Sequence, residues 1–299
     1  MSRQSSGWVQ VGLIGVLISS LGAAAWWTAD TLLVSRAVNE GRIVADMAET
    51  VGRWASQYGG VHARTQGANA ALPGSFLTRS VYAGTDQDAE LLRGSKAENR
   101  QGEREAMNRL ESYYWKNPAL IQREVADVLM ASNSLTQYRM TARTVLNRNN
   151  APNPFEIEAM DALQKAFKEH GAEAMGKATP LASSFSGLKT APNEYWKIQG
   201  GQLLYARAVI AQKSCLRCHD TPETAPEFLR VNQQFNGGGG FGYKEGQPVG
   251  VISVKLPVQT GFQAARNSLP TLALVALGVA ALATLGLLGL SLRRRSTEA

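Results

Sequence analysis

Both cysteines of the chain stand three residues apart in Ser214-Cys215-Leu216-Arg217-Cys218-His219-Asp220, and one of its three histidines follows the second directly. A C-x-x-C-H run is the attachment signature of c-type haem: two thiols form thioethers with the porphyrin vinyl groups, and the adjacent imidazole turns inward as the proximal iron ligand. Cys215, Cys218 and His219 are thus all used. Two other chemistries use only part of the run. Structural zinc needs four ligands and would have to recruit His62, His170 or a distant carboxylate. A thioredoxin-type pair opens a helix after a strand, and His219 followed by TPETAP matches such a helix poorly. One covalently attached haem c, with its iron, is the expected cofactor.

The opposite face of that iron is open to several side chains. His62, in QYGGVHAR, is the leading candidate for the sixth ligand, because the paired glycines before it would let backbone approach a flat cofactor. His170 stands at an expected helix end in EHG, where an exposed histidine is the ordinary role. Met140 has a thioether that would raise the potential. An open or water-ligated iron is the remaining alternative. Arg207, Arg230, Lys244 and Tyr243 are candidates to meet the haem propionates, and Arg217 is expected to face solvent. The glycine-rich FNGGGGFGYKEG lacks the G-K-[ST] and following helix of a phosphate loop. Its glycines would instead let chain wrap closely around the cofactor, or simply form an irregular rim.

Such a site needs a compartment and a scaffold. Of the 299 residues 44% are hydrophobic and 18% charged, below the roughly 25% charged of a typical soluble domain. The apolar excess lies at the two ends. Trp8 to Trp27 carries no charge and has aromatics at both boundaries, and Leu269 to Leu292 runs into Arg293-Arg294-Arg295. A helix of about 20 residues crosses a bilayer core of about 30 Å. The first run also resembles a cleaved signal peptide, with Arg3 before it and Ala23 to Ala25 inside it; its length and the Trp26-Trp27 pair favour retention. Arginines at both outer flanks place both termini in the cytoplasm of a two-pass protein in the bacterial inner membrane, with the haem domain in the periplasm. The expected division is a membrane helix over 1–29, a haem domain over 30–267, a second membrane helix over 268–292 and a short cytoplasmic tail over 293–299. The net charge of +7 includes that tail, and no basic stripe with interleaved aromatics points to nucleic acid.

Between the spans, residues 28–58 place Leu32, Leu33, Val38, Ile43, Val44, Met47, Val51 and Trp54 at helical spacings, so one long helix is expected to end near Gly59-Gly60. A turn at Pro73-Gly74, a short strand over 80–83 and exposed DQDAE and GSKAENRQG stretches follow. A helix is expected over about 119–134, a strand around 137–146, a turn cluster at NRNNAPNP and a helix over 155–170. Glu194 to Gln199 and Gln202 to Ile210 flank Gly200-Gly201, a two-residue hairpin signal. Phe241 to Tyr243 and Val249 to Leu256 read as a second hairpin around Glu245-Gly246, the latter strand well buried. The order implies an α+β domain with a central antiparallel sheet and helices against it.

The long helix ending in Gln57-Tyr58-Gly59-Gly60-Val61, the RNNAPNPFEIEAM region, YWKIQGGQLLYARAV, SCLRCHDTPETAP and GFGYKEGQPVGVISVKLP together resemble the single-haem c-type periplasmic domain with a PAS-like fold. The resemblance spans most of residues 30 to 260. It implies an antiparallel sheet enclosing the haem with the N-terminal helix packed nearby. Some members resemble redox or gas sensors, and some use a cysteine of the early helix as distal ligand. This chain has no cysteine beyond Cys215 and Cys218, so that ligation is not carried over. Sensor members place signalling domains after the second span, whereas few residues follow Arg295 here, so no phosphotransfer output is expected from this chain.

The expected function is a membrane-anchored monohaem cytochrome, transferring single electrons or serving as the haem subunit of a membrane complex, with a membrane protein or periplasmic redox protein as partner. The alternative is a haem-based redox or gas sensor acting through a separate membrane partner. No constellation identifies a substrate or an acid-base pair, so no independent enzymatic activity is expected.

Overall fold

The structure is a computed structural model that describes residues 2–66, 80–83, 111–177, 188, 190–226, 229, 239–259 and 261–297. The expected turn at Pro73-Gly74, the DQDAE and GSKAENRQG stretches, Arg230 and the first two residues of the four-glycine run lie outside them. By its contacts the chain divides into two compact units, residues 1–36 with 258–299, and residues 37–257.

The larger unit is built on two antiparallel sheets. Strands β1 (Val61–Gln66), β2 (Ser80–Ala83) and β3 (Glu111–Lys116) form one, in the order β1-β3-β2. Strands β4 (Gln137–Ala142), β5 (Glu194–Gln199), β6 (Gln202–Ile210) and β7 (Pro248–Pro257) form the other, in the order β4-β7-β6-β5. The architecture is α+β, as expected, but with two sheets in place of one.

The β5–β6 turn is the one the sequence marks. Gly200 and Gly201 both take positive φ, 60° and 72°, which is the backbone a tight primed hairpin requires. The second expected hairpin is absent. Residues 241–244 form no strand, because β7 already has a neighbour on each edge: it pairs with β4 on one side and β6 on the other. No ladder position is left for a third partner.

Helix α1 (Ser2–Gln57) packs its later turns against β6. Its spacing predicted a helix, and the face that the helix buries is lined mainly by small residues. Val38, Gly41, Ala45, Ala48 and Ala55 are buried with Ala37, whereas Ile43, Met47 and Trp54 are 47%, 64% and 49% exposed. Small residues allow close approach. A Cβ on Gly41 would stand 3.1 Å from Tyr205 Cγ, and one on Gly52 would stand 2.9 Å from Gln122 Nε2. Gln122 belongs to helix α2 (Pro118–Ala131), which starts under an Asn117 cap whose side chain accepts from Leu120 N–H at 2.8 Å. Its amide also donates to the Ala48 carbonyl, which fastens α2 to α1.

Close packing also buries charge. Arg42 on α1 grips Glu194 on β5 through Nε (3.0 Å) and Nη2 (2.6 Å), and both side chains are essentially inaccessible. Glu194 further accepts from Tyr205 O–H at 2.9 Å and Ala191 N–H at 3.0 Å. Arg207 donates to Tyr205 Oη at 3.2 Å and pairs with Asp46 on α1. A bidentate guanidinium-carboxylate pair with its remaining lone pairs satisfied is the arrangement that a buried charge requires.

The other face of the sheet holds the apolar core. Helix α3 (Pro154–Lys177) has non-helical backbone at Gly171, φ 78°, so its first run ends at His170. Phe155, Ala159, Met160, Leu163 and Met175 pack on Ala206, Ala208 and Val251. Alternate residues of β6 therefore serve two layers: Tyr205 and Arg207 meet α1, and Ala206 and Ala208 meet α3. This double coverage explains why β6 and β7 read as nearly continuous apolar runs.

In the smaller unit, α1 contains a segment, within residues 12–57, long and apolar enough to cross a membrane. Helices α5 (Gly261–Ser268) and α6 (Thr271–Thr297) complete the unit. Asp30 of α1 accepts from Gly261 N–H at 3.0 Å through Oδ1, capping the start of α5.

Candidate functional site

The C-x-x-C-H run forms a helix of its own, α4 (Lys213–His219), between β6 and β7. Its start is fixed by Gln212, whose N–H donates to Cys215 Sγ at 3.4 Å and whose carbonyl accepts from Cys215 N–H at 2.8 Å. Cys215 and Cys218 are free thiols, both half-buried, one helical turn apart. Residues three apart share a helix face, so the two sulfurs present together. Burial pushes the Cys218 thiol above its ordinary value, with Arg217 opposing and Cys215 adding to the shift.

His219 closes the helix and is held from two directions. Its Nδ1 lies 2.6 Å from the Gly240 carbonyl oxygen. A carbonyl can only accept, so Nδ1 carries the proton and Nε2 is left with its lone pair. Its ring also stacks on Tyr243, with centroids 4.7 Å apart and planes 13° from parallel. Burial lowers the His219 pKa, and the Gly240 hydrogen bond opposes this only in part. The imidazole is therefore neutral near pH 7, as an iron ligand must be. Burial likewise drives Tyr243 up to about 12, with Cys215 adding to it.

The chain reaching Gly240 is braced from behind. A Cβ on Gly240 would stand 2.6 Å from Leu146 Cγ, one on Gly239 would stand 2.9 Å from the Val145 carbonyl oxygen, and Gly240 has φ 88°. Here the glycines have a defined use: they let backbone pass tightly over residues 145–146 and aim a carbonyl at His219. After that, Gly242 N–H donates to the Asp220 carbonyl at 2.7 Å and Tyr243 N–H to the His219 carbonyl at 3.1 Å.

The other sequence candidates separate. The turn before His62 is brought to the motif: the Arg217 guanidinium ends 3.9 Å from where a Cβ would stand on Gly59. His62 itself lies on β1, its backbone opposite Trp115 of β3, rather than in a loop; its side chain is outside the described residues. His170 is exposed at the α3 break, and Met140 is half-buried on β4 opposite Ile252. Arg207 is corrected as a propionate partner, since it is buried and committed to Asp46 and Tyr205. Tyr243 takes a different place, beneath the histidine ring. Lys244 is exposed. Among the described residues no three His, Cys, Asp or Glu side chains converge as metal ligands.

Fold and site together define an α+β domain that presents two thiols on one helix face beside an oriented, neutral imidazole. Comparison with known families agrees in extent. The Tll0287-like family model matches residues 33–257, and the chain belongs to the Tll0287-like family. A solved structure described as the cyanobacterial haem protein Tll0287 is similar at 21% identity over 48% of this chain and 74% of that one, with a TM-score of 0.34. No curated protein sequence matches.

Proposed function

We propose that the chain is a membrane-anchored monohaem c-type cytochrome, with haem tethered through Cys215 and Cys218 and His219 as proximal ligand. Its task would be one-electron transfer, or service as the haem subunit of a membrane complex facing the periplasm. The observation that carries this is His219: an imidazole whose Nδ1 is held 2.6 Å from Gly240 O, directly beside two thiols on one helical turn. The donor set fits the group. The family is named for a protein described as a haem protein, which supports the same reading.

Bound there, haem would supply reversible cycling between Fe(II) and Fe(III). The protein's part is to hold the imidazole in one tautomer through Gly240, to fix its plane through Tyr243, and to limit water access by burial. His62 remains our candidate for the sixth ligand, supported by the approach of the Gly59 turn to Arg217. A PAS-like description of the domain, a second membrane span in α6, a periplasmic haem domain and cytoplasmic termini belong to the same proposal. The apolar run of α6 before Arg293-Arg294-Arg295 supports them.

The test is covalent haem. Full-length protein made in cells competent for cytochrome c maturation should show haem that survives denaturation, by mass and by haemochrome spectrum, and Cys215→Ala with Cys218→Ala should lose it. Wild type without covalent haem sinks the proposal. A second reading is a haem sensor acting through a separate membrane partner. Carbon monoxide binding by the reduced protein would select it, and its absence would select electron transfer. An unchanged spectrum in His62→Ala would remove His62 as ligand.

A further inference from the structure

The stack of Tyr243 on His219 is tighter than chain connectivity demands. A backbone hydrogen bond from Tyr243 N to His219 O would place any residue here, yet the aromatic ring lies 4.7 Å from the imidazole centroid and only 13° from its plane. Tyr243 is half-buried and reaches the site from the chain segment that supplies the Gly240 carbonyl. One segment thus holds the imidazole by its edge and by its face. The hydrogen bond alone leaves the ring free to swing about the Nδ1–O axis, and a parallel ring in contact removes that freedom.

We infer that Tyr243 is a positioning residue for the axial ligand, acting through its ring face to keep the His219 Nδ1–H on Gly240 O and so to set the potential of the bound iron. This inference rests on the haem reading. A firmly held Nδ1–H bond makes the imidazole a stronger donor and favours Fe(III). Loosening the ring weakens that bond and favours Fe(II). The phenolic hydroxyl has no role in the argument, so the aromatic face is the acting group.

The experiment compares Tyr243→Phe, Tyr243→Leu and Tyr243→Met in the full-length, haem-loaded protein. Covalent haem content and circular dichroism identify the folded variants, and Met serves where Leu fails to fold because its flexible thioether fills irregular space. At a fixed redox poise, Leu or Met should raise the ratio of reduced to oxidised haem several-fold and broaden the low-spin signature. Phe should restore wild-type behaviour. A folded Leu or Met variant with the wild-type ratio overturns the inference, as does Phe behaving like Leu. A second readout works without haem: side-chain ¹⁵N shifts of His219 in the haem-free chain should report one Nδ1–H tautomer in wild type and a mixture in Leu or Met. A single tautomer throughout overturns the inference. Lack of covalent haem in wild type would instead defeat the function proposal while leaving the tautomer result to be read.

Discussion

Replacing Glu194 by alanine should damage the fold more than removal of any other single carboxylate described. The carboxylate is 1% exposed and accepts four hydrogen bonds, two from Arg42, one from Tyr205 and one from Ala191 N–H. Alanine removes all four and leaves the Arg42 guanidinium, itself 0% exposed, without its carboxylate in a place water does not reach. Stranding one partner of a buried pair costs about 3–5 kcal/mol. At about 2–4 °C per kcal/mol for a domain of this size, the melting midpoint should fall by about 6–20 °C. The assay is thermal unfolding of the full chain in detergent, followed by far-UV circular dichroism at neutral pH. The pair itself is tested by a cycle: Arg42→Met with Glu194→Leu removes both charges and should cost less than the sum of the two single changes. A drop of under 1–2 °C for Glu194→Ala, or strictly additive costs, would refute the claim that Arg42 and Glu194 lock α1 onto the sheet.

Three further outcomes follow from the same packing. Burial alone would raise the Glu194 pKa, but Arg42, Ala191 and Tyr205 together hold it below the ordinary carboxylate value; its folded pKa is thus depressed, so its contribution is complete above about pH 4.3 and is lost as pH falls through the folded value. The gap in melting midpoint between wild type and Glu194→Gln should accordingly be widest at neutral pH and shrink below pH 4. Gly250→Ala would drive a Cβ into the Thr141 carbonyl oxygen across the β4–β7 ladder, costing about 1–3 kcal/mol and exposing β4 amides to hydrogen exchange; unchanged protection there would contradict it. Leu163→Ala, at a site 2% exposed between α3 and the sheet, should cost about 2–5 kcal/mol in denaturant titrations, and a loss under 1 kcal/mol would mean that the core refills the space.

What the sequence disclosed divides along physical lines. The β5–β6 hairpin was legible because its signal is local: two glycines fit a turn that only positive φ closes. The buried face of α1 was not legible, because hydrophobic periodicity marks large side chains, and this helix buries mainly small ones to approach Tyr205 and Gln122. Arg42 gave no signal, since its carboxylate lies 152 residues away in sequence. Strand β3, ESYYWK, carried an aromatic strand signature that deserved weight, but its partner β1 is polar and about fifty residues distant. In the site, the cysteine spacing and the adjacent histidine singled out the residues that α4 carries together. The residues that orient the histidine, Gly240 and Tyr243, were visible only as a glycine run and a candidate for another role. A carbonyl has no sequence signature, and a ring stack depends on how a loop returns.

The seven-residue helix that carries the thiols cannot hold them in place by itself, because so short a helix has no stability of its own in water. Its position is inherited from the strands on either side. β6 and β7 are hydrogen-bonded neighbours with a register shift at Val209/Ile210, where the ladder opens. Just past that point Ala211 N–H donates to Gln247 O at 2.9 Å, and Gly246 N–H donates back to Ala211 O at 2.9 Å. The returning chain then meets the far end of α4 through Tyr243 to His219 and Gly242 to Asp220. The motif is thus a loop closed at its base by the sheet and at its tip by its own returning segment. Its glycine and aromatic residues do the closing, so the imidazole is oriented by backbone that buried strands already fix. That arrangement makes the orientation of His219 a property of the folded chain, and it is why the tautomer of His219 is open to measurement in the haem-free protein.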